Sequence, residues 1–554
     1  MRKRHAWWIA AAVPVIGLLA AYWYLTRPPA PVVLGPVVQL RDGSVQGAVV
    51  SDLLVYRGIP FAAAPVGDLR WRAPAPVAPW TGVHRATRFK PACMQIGGPI
   101  PGLPAEPVNE DCLYLNLWTP RAAAKLPVMV WLHGGGGVNG SASTRFYWGD
   151  TLARNGVMVV SLSYRLGALG SLAHPELTQE AAYGASGNYA LLDAVAGLRW
   201  VRDNIAAFGG DPDNVTLFGH SAGAWMAGKL MVSPLAEGLF DRVIGESGGD
   251  FGPAGTREGI KELADAERDG MTFASAMGAA SIAELRRLPA ATITAGPRPS
   301  TPDAHLFGLA VVDGYVLPRD AYELYRAGRQ YKIPLLAGYT AAEGANMVAE
   351  QLNAPRFIAE VKERYGTLAP RFLAMYPATS DEEAHRSQVR LTGERAIAWQ
   401  VATWARIHAR TGSSNVYVYH FDHTPPVGPL KKLGAAHGAE LTYVFGYPTN
   451  AMRYLFQMPW NARRDIEIAN QLRTYWTNFA RTGDPNSPAL PAWPAFNPGQ
   501  QVLAIGADTR PVPLTNRDEH ELMDDYMDSL RASTQRTAGR SMLAPVDNAC
   551  CVAF

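Results

Sequence analysis

Residues Asn214–Met231 read NVTLFGHSAGAWMAGKLM. A run of strand formers, NVTLF, meets Gly219-His220-Ser221-Ala222-Gly223, and the small-residue segment AWMAGKLM that follows is competent to form a helix. A bend this tight between strand and helix forces its central residue into a strained backbone conformation. Glycines two before and two after remove side chains that would collide with neighbouring backbone. The serine oxygen then stands at the C-terminal edge of a sheet, and the free N–H groups of the following helix point at any negative charge that develops there.

GxSxG alone is a weak signal, and the chain carries it twice, at 219–223 and again in Gly245-Glu246-Ser247-Gly248-Gly249. Only the first is followed by a helix-competent run; the second enters GGDFGP, which cannot start a helix cleanly. Ser221 is therefore the candidate nucleophile. A serine hydroxyl near neutral pH needs a base, and the base needs an orienting carboxylate. With the chain order Ser, acid, His, the acid is sought past the strand-like run KIPLLAG, where YTAAEGANM offers Glu343, and the base past NVYVYHF, where GAAHGAE offers His437. His420 and His423 lie in or just after that strand and suit packing. Asp313 in VVDGYVLP is a rival acid, although Asp-Gly also makes an ordinary turn. The glycine run LHGGGGVNG at 132–140 follows a strand and can bring N–H donors close to an oxyanion.

Around these motifs the chain alternates apolar strand-like runs (126–133, 156–164, 214–218, 241–248, 332–338, 415–421) with helical patterns at 190–208 and 466–482. That pattern predicts α/β architecture: a large, mostly parallel central sheet covered by helices on both faces, with the Ala-rich region 255–310 as part of a cap insertion. The chain has 554 residues, 48% of them apolar, and a net charge of +3 from 51 basic and 48 acidic residues. The core is ample, and no basic stripe points to nucleic acid. After MRKR, residues 6–25 carry no charge, and twenty helical residues span about 30 Å, one bilayer core. Aromatic residues sit at both ends of that run, which favours a retained anchor over a cleaved signal segment. Either exports the rest, to the periplasmic face of an inner membrane if anchored, otherwise to the periplasm or the medium. Residues 1–33 are thus read as anchor or signal plus proline-rich spacer, 34–535 as one domain, and 536–554 as a flexible tail. Cys93 and Cys112 are candidates for a disulfide in an oxidising compartment. The terminal CCVAF formally matches a prenylation box, a cytosolic modification at odds with export.

Taken together, YRGIPFAAAPVGDLRWRAPAP (56–76), EDCLYLNLWTP (110–120), HGGGG (133–137), FGGDPDNVTLFGHSAGA (208–224), HGAELTYVFG (437–446) and YWTNFARTGDPN (475–486) resemble the type-B carboxylesterase/cholinesterase family of α/β-hydrolases, of bacterial carboxylesterase type. The resemblance runs from about residue 38 to 500. It implies Ser221, Glu343 and His437 as a catalytic triad, oxyanion N–H groups from Gly135, Gly136 and Ala222, and a supporting role for Ser247 behind the triad. It also implies a Cys93–Cys112 disulfide and the structural ion pairs Arg70–Glu110 and Arg165–Asp193.

Three departures stand out. Gly137 follows the third glycine of the oxyanion loop, where the family often has an aromatic residue, and should widen the pocket floor. His220 occupies the position before the nucleophile where the family often has glutamate; it either tunes the site or packs under it. Residues 94–111 contain no aromatic side chain, so the cation–π platform of choline-selective members is missing. The expected activity is hydrolysis of an uncharged, partly apolar small-molecule carboxylic ester through an acyl-enzyme, with no cofactor or metal. The same triad would also serve an amidase, thioesterase or lactonase, and a non-catalytic binding module is the alternative of a different class.

Overall fold

Successive residues of the central strands go to two different cores, which is why those strands read as continuous apolar runs. Along LPVMVWL, Val128, Val130 and Leu132 enter one buried cluster; Met129 and Trp131 enter the other. The computed structural model describes residues 32–97, 106–297, 310–348, 350–426, 428–446, 463–496 and 499–542. Its main sheet contains β1 (Leu34–Gln39), β2 (Ser44–Val50), β3 (Leu53–Pro60), β4 (Val83–Arg85), β5 (Tyr114–Pro120), β6 (Leu126–Leu132), β7 (Met158–Leu162), β8 (Gly210–His220), β9 (Arg242–Glu246), β10 (Leu335–Thr340), β11 (Val416–Phe421), β12 (Gln501–Ile505) and β13 (Arg510–Pro513). Their spatial order is β1-β2-β3-β5-β7-β6-β8-β9-β10-β11-β12-β13, with β4 beside β2. From β7 through β12 every neighbour is parallel; the flanks are antiparallel except that β4 pairs parallel with β2. The expected fold class, a large mostly parallel sheet of the α/β-hydrolase type, is what forms.

Helices cover both faces. On one side lie α1 (Tyr189–Asn204) and α2 (Ala222–Leu230), with α3 (Leu263–Ala276) in the cap region. The same side receives α4 (Asp381–Gly393), which continues through a π-helical turn at Glu394–Ala398 into α5 (Trp399–Thr411). The other side is sealed by α6 (Arg463–Thr482), whose Ile468, Leu472, Trp476 and Phe479 are fully buried. There Trp131 sits 4.8 Å from Phe218 and 4.9 Å from Phe445, ring centre to ring centre.

The last helix, α7 (Arg517–Met542), runs past residue 535, where the sequence reading ends the folded domain. It is anchored by Asp524, which accepts from Trp399 Nε1 at 2.7 Å and pairs with Arg406. The uncharged run at 6–25 and Cys550 and Cys551 lie outside the described residues, and no described helix is long and apolar enough to cross a membrane.

Candidate active site

Ser221 ends β8 and caps α2 with φ 55° and ψ −119°, a left-handed conformation rare for a residue with a side chain. The flanking glycines are obligatory. A Cβ on Gly219 would lie 2.5 Å from the Gly223 carbonyl carbon, and one on Gly223 would lie 2.0 Å from the Leu132 carbonyl oxygen. Ser221 is partly exposed although Ala222, Gly223 and Ala224 around it are buried. Ser247, in the second GxSxG, also has positive φ (48°), but it is fully buried and no helix follows it.

The turn after β10 carries Glu343, and the loop after β11 carries His437. The two segments are tied by a bridge between Ala342 and Ala436, and the Asn346 amide donates to the His437 carbonyl at 3.1 Å. His437 Nδ1 then lies 2.6 Å from Glu343 Oε2. The other Glu343 oxygen accepts the Thr340 N–H at 2.6 Å and the Ser247 hydroxyl at 2.7 Å. Burial pushes His437 toward its neutral form, but the adjacent Glu343 charge and hydrogen bond outweigh it, and the pKa rises above the ordinary imidazole value. The His437 ring lies 4.5 Å from that of His220, the residue preceding Ser221, which brings the His437 imidazole and the serine into one neighbourhood.

His220 is buried, and its Nε2 has no partner among the described residues. Burial, then the nearby His437, lower its pKa well below the ordinary imidazole value, which favours the neutral form. It packs under the site.

The glycine loop approaches from β6. A Cβ on Gly134 would lie 3.2 Å from the Ser221 Cβ, so loop and serine are in contact. Gly135 and Gly136 have φ of 115° and 62°, and among the described residues no main-chain carbonyl takes the N–H of Gly135, Gly136 or Ala222. Preorganised N–H donors are what a developing oxyanion requires.

Sequence reasoning missed what holds this loop. The His133 ring stacks on Tyr164 at 4.3 Å, and the Tyr164 hydroxyl donates to the His133 carbonyl at 2.6 Å. Gln95 clamps Gly140 from both sides, donating to its carbonyl at 2.7 Å and accepting its N–H at 3.0 Å. Gln95 sits two residues beyond Cys93, which is disulfide-bonded to Cys112. The sequence also gave no role to Glu440, three residues after His437 in the HGAE motif. It is fully buried and receives Ser247 Oγ at 3.0 Å and the Tyr419 hydroxyl at 3.2 Å.

Other candidates fall elsewhere. Asp313 accepts the N–H groups of Tyr315 (3.0 Å) and Leu317 (2.9 Å), a turn-forming role. His423 pairs with Asp465 at 2.8 Å, and His420 lies within β11. Phe251, near the motifs in sequence, packs in the core against Tyr325 and Trp404, and Trp148 packs on Phe89. Arg70–Glu110 and Arg165–Asp193 form as ion pairs, the second fully enclosed.

Comparison with known proteins agrees with this geometry. The sequence profile of the Carboxylesterase family matches residues 35–523. Fumonisin B1 esterase of Sphingopyxis macrogoltabida is 36% identical over 482 residues, covering 84% of this chain and 86% of that protein. Carboxylesterase 1D of Rattus norvegicus is 32% identical, covering 86% and 90%. Among solved structures, a PNB esterase superposes with a TM-score of 0.73 at 30% identity, covering 88% of this chain and 99% of that one. A thermophilic PNB esterase gives 0.75 at 29% with the same coverage. An α/β-hydrolase sheet, a strained serine on its strand–helix turn and similarity along nearly the whole chain lead to one conclusion: this protein belongs to the carboxylesterase family and is a serine carboxylic-ester hydrolase.

Proposed function

We propose that Ser221, His437 and Glu343 are nucleophile, general base and orienting acid, and that Gly135, Gly136 and Ala222 supply the oxyanion donors. The observation that carries this reading is the Glu343–His437 hydrogen bond at 2.6 Å, with the His437 ring lying against the residue before Ser221. Ser221 Oγ attacks the ester carbonyl while His437 Nε2 takes its proton. Glu343, bonded to Nδ1, holds the tautomer that leaves Nε2 free and stabilises the imidazolium. The free N–H groups receive the oxyanion of the tetrahedral intermediate. His437 then protonates the departing alcohol, and water, activated by the same imidazole, hydrolyses the acyl-Ser221 ester.

The preferred substrate is an uncharged, partly apolar ester. Neutral His220 in place of a carboxylate removes an anion that would favour cationic esters, and residues 94–111 offer no aromatic face. Trp225, one turn along α2 from Ser221, adds apolar surface close to the nucleophile. The Cys93–Cys112 disulfide supports export of the domain by the N-terminal segment.

A fluorophosphonate in excess, followed by digestion and mass spectrometry, tests the assignment. Stoichiometric label on Ser221 is expected. A folded protein that takes no label, or takes it on Ser247, overturns it. Profiling with matched esters and amides, neutral and charged, tests the substrate class; equal or faster turnover of cationic or anionic esters rejects the neutral-ester reading.

A further inference from the structure

Ser247 Oγ stands between two carboxyl groups, 2.7 Å from Glu343 Oε1 and 3.0 Å from Glu440 Oε1. A hydroxyl has a single hydrogen and can donate to only one of them. The second contact sets oxygen against oxygen with no hydrogen between, unless one carboxyl group brings its own. The surroundings decide which. Glu343 is supplied as an anion is supplied, accepting from the Thr340 N–H and from Ser247 on one oxygen and facing His437 Nδ1 with the other. On Glu440 the Tyr419 hydroxyl meets the same oxygen as Ser247, and Oε2 is buried with no hydrogen-bond partner among the described residues. An enclosed carboxylate with an empty oxygen is costly, whereas the carbonyl oxygen of a neutral carboxyl tolerates the same setting far better.

We propose that Glu440 is a neutral carboxylic acid in the working enzyme and a positioning residue. It donates its proton to Ser247 Oγ, so that Ser247 gives its own hydrogen to Glu343 and fixes the carboxylate that orients His437. The relay runs from Glu440 O–H to Ser247 O–H to one oxygen of the Glu343 carboxylate, whose other oxygen accepts from His437 Nδ1–H. No proton changes owner along it. When His437 accepts the Ser221 proton, Glu343 remains the single anion facing the imidazolium.

The groups around Glu440 favour this state. Glu343 approaches from the turn after β10, Glu246 from the end of β9, Tyr419 from β11, and His437 from its own loop. Burial, then the Glu343 charge, push Glu440 above the ordinary carboxylate range. Glu246, fully buried with Trp476 Nε1 on one oxygen and no partner on the other among the described residues, is driven well above the carboxylate range, chiefly by burial. Three enclosed carboxyl groups cannot all carry charge in one site.

The positioning role rests on the triad reading above, but the protonation state is read without it. Infrared difference spectra of the full chain at about pH 6, wild type minus Glu440→Gln, are expected to show loss of one protonated-carboxyl carbonyl stretch, at a pH where ordinary carboxyl groups have ionised. Glu246→Gln removes a different band and separates the two acids. If Glu440→Gln does not fold, Ser247→Ala, which removes the acceptor, is expected to shift the frequency of the same band. An infrared signature of ionised Glu440, with no protonated band lost or shifted, overturns the proposal. In kinetics, Glu440→Gln, whose amide N–H donates in the same sense, is expected to keep kcat within about threefold, while Glu440→Leu lowers kcat about tenfold with KM unchanged. Equal losses in the two variants overturn the positioning role, whatever the fluorophosphonate label shows.

Discussion

Ser221 holds a left-handed backbone conformation that costs on the order of 1–3 kcal/mol, so its setting must be over-determined by what surrounds it. Both Ser221→Ala and His437→Ala are expected to lower turnover by several orders of magnitude with unfolding transitions close to wild type, measured by steady-state kinetics beside thermal melts. The pH dependence follows from the sign of the His437 shift. The base must be neutral to act, and Glu343 raises its pKa above the ordinary value. The acid limb of kcat/KM is therefore expected above the usual histidine range. Replacing Glu343 with glutamine leaves burial as the dominant influence, so the limb moves to lower pH while kcat falls; a limb that stays put in that variant would contradict the assigned partner. At this scale the sequence was legible where a residue type is forced by the backbone, as at Gly219, Ser221 and Gly223. It was illegible where the role comes from long-range pairing. Nothing local to Gln95, Tyr164 or Glu440 says what each will touch, because their partners lie 45, 31 and 193 positions away.

The strand–turn–helix element joining β8 to α2 is packed so closely on β6 that no side chain fits at its second glycine. Gly223→Ala must displace the Leu132 carbonyl, 2.0 Å from the new methyl, and is expected to abolish labelling of Ser221 and to destabilise the fold by at least about 1–3 kcal/mol, read from denaturant unfolding. The loop closed by Cys93 and Cys112 acts on the site at a distance. Opening this 19-residue separation is expected to cost about 3 kcal/mol of stability. Because Gln95 inside the loop holds Gly140 at the end of the glycine run, reduction is also expected to lower kcat at temperatures where the protein stays folded. Gln95→Ala isolates the second effect: a kcat unchanged from wild type would show that the clamp does not matter. Strand and helix positions followed from apolar runs and period, within a few residues at most ends. The end of α7 did not, since the polar composition after Ser533 hides a helix that continues to Met542.

Across the molecule, charge is buried where elements distant in sequence meet. Arg165, just after β7, grips Asp193 on α1 through its side chain at 2.7 and 2.8 Å and through its own N–H at 3.0 Å, and both side chains are almost wholly enclosed. Burial pulls Asp193 toward its neutral form, and Arg165 opposes that only in part. Arg165→Met strands the acid and is expected to cost about 3–5 kcal/mol in chemical denaturation. Motif order made the architecture readable because a parallel sheet places the end of each strand on one edge, whichever residues lie between. The same arrangement has a consequence in time. Ser221, Glu343 and His437 leave the sheet on three separate strands, β8, β10 and β11, and the last of them pairs with β12 from near the end of the chain. On the proposed assignment, a growing polypeptide carries its nucleophile long before the base exists. Under that assignment it is expected to stay chemically inert through synthesis, and through any passage across a membrane in the unfolded state, and the first turnover certifies that the sheet has closed.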